Sequence, residues 1–206
     1  MDILGLQKRL DELSVWRKQE LIQAQILVEN AQTNDAVGYL CRAWVLIIYA
    51  HCDSFLKEAA KVYLEYVKAN QSFDYNYKFM WLIMKGKAHL MKGDKHYRSL
   101  SDYHSIEDDN FFNAILGDEV FKSGSFQYTQ LRFFCDWVLQ ISYDHSSLQS
   151  FCKILKNKRD KIAHGERTYV KIEEDCLPWH KAAIEFIDSF KESLLENALK
   201  QRISKT

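Results

Sequence analysis

Residues 36–68 read AVGYLCRAWVLIIYAHCDSFLKEAAKVYLEYVK, and this stretch decides the fold class. Leu40, Trp44, Ile47, Phe55, Ala59 and Tyr63 recur at helical spacing. The middle is apolar almost all round, the pattern of a helix with neighbours on every side rather than one face in water. It is expected to be the central buried helix, from about Ala36 to Lys68. Asn34 or Asp35, in the turn Thr33-Asn34-Asp35, is the expected N-cap. The stretch holds no proline, and the whole chain of 206 residues holds one proline and seven glycines. A sandwich or barrel needs many sharp turns, so long helices are expected throughout.

Upstream, residues 4–31 carry Leu6, Leu10, Leu13, Trp16 and Ile22 at helical spacing with charges between them, an amphipathic helix. Downstream, the pattern weakens. A helix is expected over Tyr77–Met91, a polar loop over 92–106, a short helix over Glu107–Leu116 and a break at Ser123-Gly124-Ser125. Gln127–Ile141 fits either helix or strand by propensity. Leu131, Phe134, Cys135, Val138 and Ile141 follow the helical period, so helix is expected. Ser146 or Ser147 is the expected N-cap of a helix from Leu148 to His164, with Phe151, Ile154, Leu155, Lys158 and Ile162 on one side and Gly165 as its C-cap glycine. Residues 167–172 are β-prone and expected as a short extended link. Glu173, Glu174 and Asp175 then favour a helix start, and the last helix runs to about Leu199 with Ile184, Ile187, Phe190, Leu194 and Leu195 facing in.

Lys plus Arg and Asp plus Glu number 28 each, so no global field draws the chain to nucleic acid or to a membrane. The longest apolar run, Ala43 to Ala50, is far shorter than a bilayer span. The N-terminus lacks the pattern of a signal peptide. The five cysteines form no C-x-x-C pair, as expected of free packed thiols in a cytoplasmic protein. Trp16, Trp44, Trp81, Trp137 and Trp179 are expected in the core. Ligand spacings for zinc are missing, as are the signatures of P-loop, dinucleotide-binding, zincin and α/β-hydrolase chemistry, so no metal or cofactor is expected.

The segment with chemistry in it is Arg159-Asp160-Lys161-Ile162-Ala163-His164-Gly165. An R-x4-H match alone is weak, since eight arginines and seven histidines give roughly 0.3 chance matches in a chain of this length. Its setting adds to it. The histidine falls on the last turn of a helix, and Lys153, Lys156, Lys158, Arg159, Lys161, Arg167 and Lys171 cluster against Asp160 and Glu166 between them. That local basic patch suits RNA phosphates, with Lys158, Lys161 and Arg167 the expected contacts. A histidine can move protons near neutral pH, and an arginine can donate two hydrogen bonds to a developing phosphorane. The plain structural alternative is a solvated arginine and a histidine favoured by the helix dipole. Five residues of helix leave the two side chains about 140° apart around the axis and about 7.5 Å apart along it, so one copy focuses them poorly on one phosphate. A symmetric dimer would bring two such segments together.

Two other groups compete for attention. Arg98…His104 is a similar pattern in the expected polar loop, without helix stripe or glycine cap. His51 and Asp53 lie in the apolar central helix. Asp53 either orients His164 or Arg159, or makes a core ion pair, since an unpaired buried carboxylate is costly.

With these residues in hand, the chain resembles the HEPN superfamily of helical domains, found in many prokaryotic toxin and antiphage ribonucleases. Arg159-Asp160-x-x-x-His164-Gly165 is similar to its R-[N/D/H]-x-x-x-H signature. Trp16-Arg17-Lys18-Gln19-Glu20-Leu21, Tyr49-Ala50-His51-Cys52-Asp53-Ser54-Phe55 and Tyr63-Leu64-Glu65-Tyr66-Val67 resemble the MAE-type HEPN-like subgroup, where the position of Cys52 is often Trp and that of Asp53 often Glu. The likeness is weakest between residues 70 and 130, an insertion-like segment of what reads as a single domain over 1–206. The resemblance implies an all-α up-and-down bundle of four to five main helices. It implies a metal-independent endoribonuclease acting as a homodimer, with Arg159 and His164 catalytic and Asp160 orienting. It also implies a toxin or antiphage setting, with an antitoxin or defence-system protein as partner. The alternative it leaves is an inactive RNA-binding or assembly module.

Overall fold

A computed structural model describes residues 1–70 and 126–203, apart from the side chains of Trp137 and of residues 201–203. The expected elements between Tyr77 and Ser125, Trp81 and the Arg98…His104 pattern lie outside them. Among the described residues the regular structure is all helical. Helix α1 spans Ile3–Glu29, α2 Asn34–Asn70, α3 Tyr128–Phe133, α4 Leu148–Ala163 and α5 Leu177–Ile203. A π-helical turn, Phe134–Leu139, extends α3, and another, Ile172–Cys176, leads into α5.

α2 is the axis of the bundle, packed against α1, α4 and α5. Trp44, Ile48, Cys52, Phe55, Leu56, Ala59 and Tyr63 are buried, and Leu40 and Ile47 pack partly buried against the same core. The cap of α2 is neither Asn34 nor Asp35. Thr33 holds that place, its hydroxyl accepting the Ala36 N–H at 3.2 Å. Cross-links between helices set their directions. Glu58 and His51 of α2 meet Arg17 and Glu20 of α1 (2.9 Å each), so the two helices run antiparallel. Lys18–Asp188 (2.7 Å) and Asp11–Lys191 (2.9 Å) set α1 antiparallel to α5. Phe55 meets Phe186 and Phe190 edge-on, with ring centroids 6.3 Å apart in both pairs, and Phe126 joins Phe186 at 5.1 Å. Such ring pairs add to simple area burial and key α2 to α5.

The buried face of α1 differs from the apolar pattern. Leu6 and Leu10 are fully buried, but Trp16 and Ile22 are 42% and 47% exposed. The inward register is Leu6, Leu10, Ser14, Arg17, Leu21, Ala24 and Val28. Two inward places are polar because each finds partners. Ser14 Oγ donates to the Asp11 carbonyl at 3.0 Å. The fully buried Arg17 donates to the Leu13 carbonyl (2.7 Å) and to Ser54 Oγ (3.3 Å from both Nε and Nη2). Its guanidinium lies 4.3 Å from the Trp16 ring centre, which draws that indole across the helix surface. Trp44 and Trp179 are buried as expected.

α3 is helical as expected but ends early. The chain leaves the π turn at Gln140, whose φ of 52° is left-handed, and Ile141 is buried from beyond the helix. Glutamine has no special preference for that conformation, so nothing in its identity marks the stop. Neither Ser146 nor Ser147 caps α4 through its side chain. Asp144 organises the turn instead, accepting from Ser146 N (3.0 Å) and Oγ (2.7 Å), bonds that hold its carboxyl below the usual range. Ile154, expected inward, is 48% exposed. The five cysteines are free and buried, and burial pushes the Cys135 and Cys152 thiols up to about 12. Among the described residues no helix is long and apolar enough to cross a membrane, and no cluster of three or more ligating side chains is placed to hold a metal ion.

Burial lowers the pKa of two histidines, the buried His51 and the partly buried His180. For His51 the Glu20 carboxylate pulls the other way, but desolvation is the larger effect. Each folded value therefore lies below the unfolded one, near 6.5. As pH falls below that value the unfolded chain takes up protons that the folded chain refuses, so stability is full above it and declines toward pH 5. Urea midpoints measured from pH 7.5 to 5 are expected to fall, and the His51→Gln, His180→Gln double variant is expected to show a flatter profile. An equal slope in that variant would refute the assignment.

Candidate active site

The motif sits on α4, which is anchored to the bundle by the buried Leu148, Phe151, Cys152 and Leu155. Its C-terminus is closed by paired bonds. Gly165 N–H donates to the Ile162 carbonyl at 3.0 Å and Glu166 N–H to the Lys161 carbonyl at 2.9 Å, the two bonds of a Schellman cap. Gly165 supplies the left-handed residue such a cap requires, at φ +77°. A Cβ there would meet no atom within 4 Å, so the cost of an L-residue is conformational, about 1–2 kcal/mol. The cap makes His164 the C-cap residue of the helix, with its N–H on the Asp160 carbonyl at 2.9 Å and its side chain exposed.

Arg159 is half-buried one turn earlier. Its guanidinium lies 4.5 Å from the centre of the Tyr49 ring on α2, and Nη1 donates to Asp160 Oδ1 at 2.8 Å. Asp160 Oδ2 accepts from Lys156 Nζ at 2.6 Å. These two cations, Lys156 foremost, hold the Asp160 carboxyl below the usual carboxylate range, so it stays ionised beside the arginine. The aromatic face and the carboxylate together fix the direction of the guanidinium. Tyr49 carries no signal of this in the sequence. It sits in an apolar run and reads as core, and the partner that gives it a role is far along the chain.

The basic patch divides in two. Lys156, Arg159 and Lys171 are ion-paired with Asp160, Asp160 and Glu174. Lys158, expected among the RNA contacts, is turned to an internal task. Its ammonium donates to the Tyr169 carbonyl at 2.8 Å and lies 3.6 Å from Asp175. Lys153, Lys161 and Arg167 are exposed and make no ion pair among the described residues. These three remain to meet an external anion.

Asp53 takes the core ion pair of the two roles weighed for it. Its Oδ2 accepts from Lys57 Nζ one turn on, at 2.7 Å, and the carboxylate beside Arg159 is that of Asp160. His51 is tied to Glu20 and to the edge of Trp16, with ring centroids 5.2 Å apart. The structure thus brings together Arg159, Asp160, Lys156 and Tyr49. It places His164 at the solvent end of the same helix, with no hydrogen bond to Arg159 among the described residues.

A helical bundle carrying an arginine, an acidic neighbour and a histidine at the capped end of one helix has the form of a HEPN-type domain. A family model described as HEPN_MAE_28990-like HEPN matches residues 6–203, and the chain belongs to that family. Comparison with curated proteins and with solved structures finds no match. HEPN-type domains are commonly ribonucleases, and they often dimerise and bind RNA.

Proposed function

We propose that the protein is a metal-independent endoribonuclease of a prokaryotic toxin or antiphage system, working at a site shared by two copies of the chain. The observation that carries this is the pairing of an exposed helix-cap histidine with an arginine already held in direction by Asp160 and Tyr49. In the reaction, one His164 accepts the 2′-hydroxyl proton as O2′ attacks phosphorus. The Arg159 guanidinium hydrogen-bonds the phosphoryl oxygens as charge builds on them. The P–O5′ bond breaks, and the leaving oxygen takes a proton from the His164 contributed by the second copy. The products are a 2′,3′-cyclic phosphate and a free 5′-hydroxyl. Lys161 and Arg167 meet flanking phosphates, and Asp160 orients Arg159. Asp53 acts at most at a distance, by keeping Lys57 and α2 in place.

Two copies are needed for a physical reason. Arg159 stays charged and serves the phosphoryl oxygens while His164 stands at the helix end, so one chain has one proton-transfer group for a reaction that uses two. The test is cleavage of single-stranded RNA by the purified protein in excess EDTA, with end-group analysis. We expect cyclic-phosphate ends, and specific activity that falls with dilution in step with the dimer fraction seen by sedimentation. Absence of cleavage with retained RNA binding would instead favour an inactive binding module, a reading supported by the engagement of Arg159 with Asp160.

A further inference from the structure

The link between α4 and α5 has an outward row of which the proposed chemistry uses only Arg167. Thr168 and Val170 are buried (9% and 6% exposed), whereas Arg167, Tyr169 and Lys171 are exposed. Inward and outward residues alternate as in a strand, which spaces the outward side chains about 7 Å apart. Tyr169, at 77%, is the most exposed large apolar side chain among the described residues. An aromatic ring left so far in water, on backbone that is held still, has the form of a platform. The backbone is tied at Tyr169 and at Lys171. Lys158 Nζ donates to the Tyr169 carbonyl at 2.8 Å, and the Lys171 N–H donates to Asp175 Oδ2 at 2.9 Å. The link follows directly on the Schellman cap, so Tyr169 is five residues from His164.

We propose that this link is a single-stranded RNA track, with Tyr169 stacking on an unpaired base next to the scissile phosphate and Arg167 meeting the neighbouring phosphate. The proposal rests on the ribonuclease reading and adds its substrate class: single-stranded, with a base free to leave its own stack. Stacking on an exposed ring tolerates any base and requires that the base be unpaired, whereas a duplex hides its faces. Lys171 is ion-paired with Glu174, and Glu166 and Glu173 are exposed nearby, so the track is weakly cationic. Ring stacking rather than charge is therefore its main grip, which separates it from a general phosphate-binding patch.

The test uses His164→Ala protein, so that RNA survives the measurement. The probe is a fluorescein-labelled RNA of alternating A and C, which cannot pair with itself, beside an RNA duplex of equal length. Anisotropy titrations give the affinities. Adding Tyr169→Ala is expected to weaken single-strand binding about 10-fold or more, and Tyr169→Phe to leave it within about 2-fold, because the ring face and not the hydroxyl carries the contact. Duplex binding is expected to be weak and equal in all three. Tyr169 is exposed, so loss of fold is not at issue, and thermal melts check this. If Tyr169→Ala binds single strands as the parent does, the track is refuted even where wild type cleaves RNA, and the ring is left for a protein partner. If the Tyr169 dependence holds but wild type cuts nothing, the ribonuclease reading fails and the track stands. If the parent binds neither RNA, the track fails, and wild-type cleavage alone decides the ribonuclease reading.

Discussion

RNA cleavage is expected to fall about 10²–10⁴-fold in His164→Ala, the range over which a positioned general acid or base contributes. His164 is exposed at the C-cap and makes no side-chain hydrogen bond among the described residues, so its removal leaves no buried orphan and the fold stays intact. Arg159→Ala is expected to lose about 10²–10³-fold, the effect of deleting one preorganised donor to a charged transition state. That substitution also uncovers Tyr49, so a stability control belongs with it. Arg159→Lys should not rescue, because an ammonium cannot offer two parallel bonds while lying flat on a ring. The measurement is single-turnover cleavage in EDTA at equal dimer concentrations. Wild-type rates in both alanine variants would refute the site.

The largest effect on stability is expected at Arg17. Its side chain is fully buried, with three protein acceptors and two aromatic faces around one guanidinium: the Leu13 carbonyl, Ser54 and Glu58, with Trp16 and Phe55. Arg17→Ala is expected to cost about 3 kcal/mol. The loss comes from packing and from stranded polar groups more than from the ion pair, since Glu58 is half exposed and can turn to water. Arg9→Ala, by contrast, breaks an Arg9–Glu65 pair exposed on both sides and is expected to cost under about 1 kcal/mol. Urea unfolding compares the two. Equal small shifts would show that the buried guanidinium is not a main fastening between α1 and α2. A loss of this size is a large part of the stability of an ordinary domain.

Patterns that depend on a residue's own backbone were legible in advance. The long apolar run of α2, the C-cap at Gly165 and the acidic start before α5 each follow from period, glycine or charge, and the structure has all three. Patterns that depend on a distant partner were not. Apolar counting on α1 chose Trp16 and Ile22 for the core and passed over Ser14 and Arg17, because a polar residue can be buried only when something across the interface satisfies it. Ser146 and Ser147 look like caps, yet Asp144 takes the turn ahead of them by accepting both Ser146 donors.

The same division runs through the site. From the chain alone come the helical class, the membership of Arg159, Asp160 and His164 in one helix, and the exposure of the histidine at its capped end. These are local consequences of a 3.6-residue period and a glycine with positive φ. Tertiary structure decided which cations are spoken for. Lys158 braces the following link, Lys156 and Arg159 share Asp160, and the Tyr49 ring sets the arginine's direction. Charge is additive along a sequence, but the partner of each charge is settled only when distant helices come within a few ångströms of one another.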